Sequence, residues 1–189
     1  MKKLPAEKVN SLILSYLFKG FIWTFSDFFR IEKDFKLTAT VGKKNFFTWN
    51  DDEYRDFMIY VISNLEPFEE LKHTILANEL DEFNEILFVN KGKVVIGYEI
   101  NKQKRYCLQF TNKCVVGAFG LTFNQRSKFI YTSLTKISGY FIRQNHWMGV
   151  LEDYPMIGNR IKRNVIWEYL CKINVKVNIN KRKILKSFE

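Results

Sequence analysis

Between residues 85 and 142 the chain is cut into short apolar runs, with polar turns every eight to twelve residues. No other feature constrains the fold as strongly. The runs are Glu85–Val89, Val94–Ile100, Tyr106–Phe110, Cys114–Phe119, Phe129–Tyr131 and Gly139–Ile142. Lys91-Gly92, Asn101–Arg105 and Thr111–Lys113 separate the first four. Strands of this length and spacing pair as antiparallel hairpins in a meander or roll. Gly92 suits a tight turn and Gly97 a bulge, where the chain needs a residue without a Cβ.

Helical periods bracket this region. Val9, Leu12, Ile13, Tyr16 and Leu17 fall on one helical stripe behind Pro5, and Phe21, Ile22, Phe25, Phe28 and Phe29 form a second stripe after Gly20. Residues 36–50 read as an irregular connector. Asn50 and Glu53 have the spacing of a capping box, so a third helix is expected from there through Tyr54, Phe57, Met58, Val61 and Leu65, stopped by Pro67. After Trp147 the helical period returns, interrupted at Pro155 and resumed through Ile157, Ile161, Val165, Ile166, Tyr169, Leu170 and Ile173. Beyond that point Ile173, Val175, Val177 and Ile179 alternate as a strand would, while Leu170, Ile173 and Val177 also fit a helix. The expected class is α+β. Its divisions are 1–50, a helical linker-like segment and connector; 51–146, a helix plus the β-roll; and 147–189, C-terminal helices and a basic tail.

Several function classes fall away. Three cysteines, Cys107, Cys114 and Cys171, with no CxxC pair, disfavour a disulfide scaffold or a zinc ribbon. Two distant histidines, His73 and His146, disfavour a His-rich metal site. The apolar stretch Val9–Phe18 is shorter than the ~20 residues a membrane helix needs. No residue set carries a catalytic constellation, so the chain is not expected to be an enzyme. The net charge of +10 is unevenly spread, with 2 basic and 11 acidic groups in residues 51–85 and 9 basic and 2 acidic in residues 160–189. That polarity does not describe a nucleic-acid coat, and neither a base-reading helix nor stacked aromatics accompanies the basic end. Lys172, Lys176, Lys181, Arg182, Lys183 and Lys186 instead read as a solvated helix end, or as a docking face for an anionic membrane or an acidic partner.

The segment Gly117-Ala-Phe-Gly-Leu-Thr-Phe-Asn-Gln-Arg-Ser127 is the most suggestive chemically. A glycine-bearing loop entering a helical turn can aim N–H groups at a phosphate, and Arg126 can add a bidentate contact.

With Ile75–Gly92, Ile96–Lys102, Arg126–Tyr131, Gly139–Arg143, Trp147 and Val150–Pro155 taken together, residues 53–176 resemble a cyclic nucleotide-binding domain. The resemblance is to the kind appended to voltage-gated cation and potassium channels, of the ciliate type. Residues 4–29 resemble the end of the linker that joins a pore to such a domain. The resemblance implies a β-roll built as a double-stranded antiparallel jelly roll, N-terminal helices, and C-terminal hinge helices that close over the roll. It also implies that Gly117, Ala118 and Phe119 open the phosphate cassette, with Arg126 and Ser127 in the place of its arginine and small neighbour. The ligand of such a pocket is cAMP or cGMP. This sequence departs at Ala118, where the family carries a ribose-binding glutamate, and at Lys128 and Phe129, where it carries a small alanine. Loss of a charge-assisted hydrogen bond costs ~1.5–3 kcal/mol, so weak or lost nucleotide binding is expected. The run Ile173–Ile179 is the candidate to fill the pocket instead.

The expected function is therefore a non-catalytic regulatory or assembly domain without a resident cofactor. Its expected partners are protein subunits (a channel core, copies of itself or a larger assembly), with an anionic membrane surface next and no nucleic acid. The expected location is intracellular, at the cytoplasmic face of a membrane if the chain serves a channel. The alternative, since the chain begins at Met1 and holds no pore helices, is a stand-alone scaffold subunit of a larger intracellular assembly.

Overall fold

The computed structural model describes residues 51–111 and 113–186, together with Phe21, Phe25 and Phe28; the side chains of Lys172 and of residues 181–186 lie outside the description. The N-terminal segment is thus represented by three helical residues, and the linker-like resemblance of residues 4–29 otherwise falls outside the described residues.

Helix α1 spans Asp52–Ser63 and buries Tyr54, Phe57, Met58, Val61 and Ile62 along one stripe. Its N-cap is Asp51, which makes no side-chain capping bond; Asn50, the first residue of the expected capping box, lies outside the described residues. Asn64 ends the helix three residues before Pro67.

Eight strands follow: β1 (Glu66–Glu70), β2 (Ile75–Ala77), β3 (Glu85–Lys91), β4 (Lys93–Ile100), β5 (Gln103–Thr111), β6 (Cys114–Val116), β7 (Ile130–Ser133) and β8 (Ile137–Arg143). They form two four-stranded sheets, ordered β1-β8-β3-β6 and β2-β7-β4-β5, and every pairing is antiparallel. β1 and β2 escape the periodicity argument. Pro67 lies inside β1, which is an edge strand, where a missing N–H need not break a ladder bond. The β4–β5 hairpin turns on Asn101 and Lys102, both at positive φ (50° and 62°), as a two-residue turn of that hand requires. The expected bulge is present, with a register shift between Ile96 and Gly97.

Gly139 in β8 pairs with Val89 of β3 and Phe68 of β1, and a Cβ there would collide with the carbonyl oxygen of Phe88. The obstacle is backbone in a central strand and cannot swing aside. Gly139→Ala is therefore expected to destabilise the protein by about 1–3 kcal/mol or more. A fall in the urea midpoint at unchanged slope is the check.

Five helical segments complete the chain. Helix α2 (Ala118–Thr122) follows β6, and helices α3 (Gln144–Asp153) and α4 (Pro155–Trp167) follow β8. A seven-residue π-helical segment, Glu168–Asn174, leads into α5 (Val175–Lys186). Residues 168–186 are therefore helical, and the strand alternative for Ile173–Ile179 is corrected: Ile173 and Val177 are buried, whereas Val175 and Ile179 face outward. The π-helix has a reason in the sequence. Ile161, Val165, Tyr169, Ile173 and Val177 are all buried and recur every four residues. On an α-helix each four-residue step rotates a side chain by about 40° out of line. The wider i→i+5 turn returns the later members to the same side.

This stripe joins two cores. Phe21, Phe25, α1, α3 and Ile157, Ile161 and Val165 of α4 pack on Ile86 and Phe88 of β3. Trp147 is fully buried there, its indole N–H donating to Thr122 Oγ1 at 3.0 Å. Inside the roll, Leu87, Val89, Val94, Ile96, Tyr98 and Tyr131 pack with Tyr169, Ile173 and Val177. Alternation in β3 thus feeds one core from each face.

Candidate functional site

The site begins where β6 runs out. Gly117 takes φ 86°, a left-handed conformation that turns the chain from β6 into the short helix α2. Phe119, expected at the end of a strand, consequently lies on this helix. Gly117 is also the N-cap of α2, and its carbonyl accepts the N–H of Leu121 at 2.9 Å. A Cβ on it would stand 2.7 Å from the Glu85 carbonyl oxygen and 2.9 Å from the Phe83 ring; one on Gly120 would collide with that same ring. The two glycines therefore make room for Phe83.

After α2 the chain returns through Arg126 and Ser127. The Ser127 N–H donates to Asp81 O and its carbonyl accepts the Leu80 N–H, both at 2.8 Å, so the loop is laced to residues 80–81. The Ser127 hydroxyl, buried, donates to Phe129 O at 2.6 Å. Arg126 reaches Glu82 with Nη2 at 2.8 Å and Nε at 3.2 Å from Oε1. Both side chains of that pair are well exposed, so it holds the guanidinium in place at little gain in stability.

All five sequence-predicted pocket residues, Gly117, Ala118, Phe119, Arg126 and Ser127, line one concavity, together with Phe28, Phe83, Lys128, Tyr131, Tyr169 and Ile173. Its free volume is about 20 Å³, room for about one water molecule. Pockets for drug-sized ligands run to ~300–1,000 Å³. Aromatic rings take up the difference. Tyr169 stacks on Phe119 with centroids 3.9 Å apart and planes within 7°. Phe83 meets Tyr131 edge to face at 6.2 Å. Burial pushes the Tyr169 hydroxyl up to about 12 and raises that of Tyr131 further, so both rings are neutral at physiological pH.

By the resemblance, Phe129 stands where the family carries a small alanine facing the ligand. That residue instead packs in the roll interior, tilted against Tyr169 at 6.1 Å. The rings at the cavity are Phe83, Phe119 and Tyr169. Of the run Ile173–Ile179, Ile173 lines the space, while the stacking ring comes from one turn earlier. Phe83, Glu82 and Tyr169 were missed. The available signal was the four-residue repeat that puts Tyr169 on the buried stripe.

The basic C-terminal set is described only in part. Lys176 is exposed on α5, and the side chains of Lys172, Lys181, Arg182, Lys183 and Lys186 lie outside the described residues. The acidic stretch pairs elsewhere: Glu66 with Arg143 at 2.6 Å, Glu69 with Lys136 at 2.7 Å and Glu82 with Arg126. Among the described residues no group of three His, Cys, Asp or Glu side chains is placed to hold a metal ion.

No protein-family model matches the chain, and no curated protein matches it by sequence. Solved structures do. A cyclic nucleotide-binding domain from Methylobacillus flagellatus is similar with a TM-score of 0.65 at 12% identity, covering 88% of this chain and 85% of that one. The regulatory subunit of a cAMP-independent protein kinase A from Trypanosoma cruzi, bound to guanosine, gives 0.54 at 13% identity over 70% of this chain and 44% of that one. The catabolite activator protein of Thermus thermophilus gives 0.54 at 10% identity over 66% and 58%. None of these three is a channel or comes from a ciliate, so that part of the resemblance gains no support from them. At these identities the likeness establishes architecture: two antiparallel sheets rolled together, with helices before and after the strands in sequence. The chain has the fold of a cyclic nucleotide-binding domain.

Proposed function

We propose that the chain is a non-catalytic regulatory or assembly domain, in which the nucleotide pocket of the fold is occupied by the protein's own aromatic side chains. The observation that carries this reading is the Phe119–Tyr169 stack at 3.9 Å over a cavity of about 20 Å³. Two further features support it. Arg126, the cassette's phosphate-binding candidate, is held by Glu82. Ala118 supplies no carboxylate for a ribose hydroxyl. The trypanosome neighbour is described as a cAMP-independent regulatory subunit, so a roll of this shape is compatible with regulation without cAMP.

Work of this kind passes through protein contacts. Ile166, Trp167, Leu170, Val175 and Ile179 are each 38–49% exposed along the C-terminal helices, and Lys176 lies in the same stretch. Apolar and aromatic side chains of this sort are enriched in the centres of interfaces. The partner in this reading is a protein subunit inside the cell, with an anionic membrane surface as the next candidate. Among the described residues no helix is long and apolar enough to cross a membrane. A channel core is the finer form of the proposal, resting on the sequence resemblance of residues 53–176 and of residues 4–29. Co-purification separates it from the stand-alone scaffold: a stoichiometric assembly without any channel subunit favours the scaffold.

Calorimetric titration with cAMP, cGMP and guanosine tests the occupied pocket. No saturable heat is expected at millimolar ligand. Micromolar binding abolished by Arg126→Ala overturns the reading.

A further inference from the structure

The larger concavity lies away from the nucleotide pocket, on the outer face of the β2-β7-β4-β5 sheet. Ala77, Val94, Ile96, Tyr98 and Tyr131 point into the roll. Strand alternation therefore turns their neighbours outward. The register then sets Ile75, Thr132, Val95 and Gln109 in one row across all four strands. One step along, the bulge puts Gly97 opposite Tyr106. With no side chain at Gly97, the Tyr106 ring leans across β4, and its hydroxyl shares a 3.0 Å hydrogen bond with Thr132 Oγ1.

The groove beside that ring has a volume of about 570 Å³, within the ~300–1,000 Å³ range of small-molecule sites. Ile75, Val95, Leu108 and Leu134 supply apolar lining, and among the described residues Lys104 brings a positive charge and His73 an imidazole, with no carboxylate. His73 is held at φ 70°. Ser133, fully buried, over-determines that conformation: its carbonyl accepts the His73 N–H at 2.7 Å, and its Oγ accepts the Thr74 N–H at 2.9 Å and donates to Leu71 O at 2.6 Å. Unfavourable backbone conformations persist where the surroundings fix them, and they cluster at binding sites.

We propose that this groove binds a small amphiphilic organic anion, an aromatic or short aliphatic body carrying a carboxylate or sulfonate. The apolar floor takes the body against the Tyr106 ring, and Lys104 takes the charge beside the His73 ring. A site lined by basic groups and no acid selects an anion over a neutral or cationic molecule of the same shape.

The probe is anilinonaphthalenesulfonate, titrated into the full chain and followed by fluorescence and backbone-amide NMR. Saturable one-to-one binding is expected, with shifts centred on residues 73–75, 95, 104–109 and 132–134. Lys104→Glu and Tyr106→Ala should each weaken it by about tenfold or more, and the uncharged phenylnaphthylamine should bind about tenfold more weakly than the anion. Lys104 and Tyr106 are exposed on an edge strand; if either variant misfolds, Lys104→Gln with the neutral-dye comparison decides. The proposal is overturned by equal affinity for the neutral dye, by unchanged affinity on losing the Lys104 charge, or by shifts at Phe119 and Tyr169. Shifts confined to the exposed edge of β5, the pattern of an added strand, overturn it as well.

Discussion

Tyr169→Ala is expected to lower the stability of the protein by about 3–5 kcal/mol, the range for removing a large buried ring. For a chain of this size that lowers the melting midpoint by roughly 10 °C. Three effects act together. The stack on Phe119 is lost. The roll interior loses a ring that is 6% exposed. The stripe Ile161, Val165, Tyr169, Ile173 and Val177 loses the member at which it passes from the helical core into the roll. Tyr169→Phe keeps the ring and should cost less than about 1 kcal/mol. Paired urea titrations make the measurement, and a cost below about 1 kcal/mol for the alanine variant shows that Tyr169 is not the main filler of the pocket. The same variant bears on function. Guanosine or cyclic-nucleotide binding gained in Tyr169→Ala and absent from the parent protein identifies the ring as the occupant of ligand space.

What was legible in the sequence was local chemistry. The turn at Gly92 and the bulge at Gly97 depend on residues next to one another and formed where the pattern put them, while the turn expected over Asn101–Arg105 closes at Asn101 and Lys102, with Gln103–Arg105 already in β5. The grouping of Gly117, Ala118, Phe119, Arg126 and Ser127 about one concavity was legible for the same reason. What failed depended on distant partners. Glu66-Pro-Phe-Glu-Glu70 reads as a charged, proline-broken stretch; it becomes a strand because β8 offers it an edge. That pairing also places acidic groups beside β8: Glu66 meets Arg143 and Glu69 meets Lys136, which lie on or beside that strand. Phe83 and Tyr169 come to the cassette from either side of it in sequence. The strand-like alternation after Ile173 misled because a four-residue burial repeat and a two-residue one coincide at Ile173 and Val177, and only packing into the roll separates them.

The same buried rings make the fold sensitive to alkali. Burial raises the Cys114 thiol from 9.0 to about 12 and the Tyr169 hydroxyl from 10.0 to about 12. Tyr131, wholly enclosed, is raised by burial first and then by its neighbours Tyr169 and Cys114. All three are raised in the folded state, so their protonated forms are what the fold holds. Below pH 9 they are protonated in both states and stability does not depend on them. As pH rises from 9 towards 12, the unfolded chain releases protons that the native state retains, and stability falls. A tenfold difference in acidity between the folded and unfolded chain is worth about 1.4 kcal/mol, so the groups together remove several kcal/mol from a total of ~5–15 kcal/mol. Cooperative unfolding is therefore expected before pH 12, with tyrosinate absorbance and far-ultraviolet circular dichroism changing together. Tyr169→Phe removes one titrating group while keeping its ring, and should move that midpoint to higher pH relative to its stability at neutrality. If all nine tyrosines instead ionise smoothly near pH 10 with the secondary structure intact, the rings are open to solvent and the occupied pocket is refuted with them.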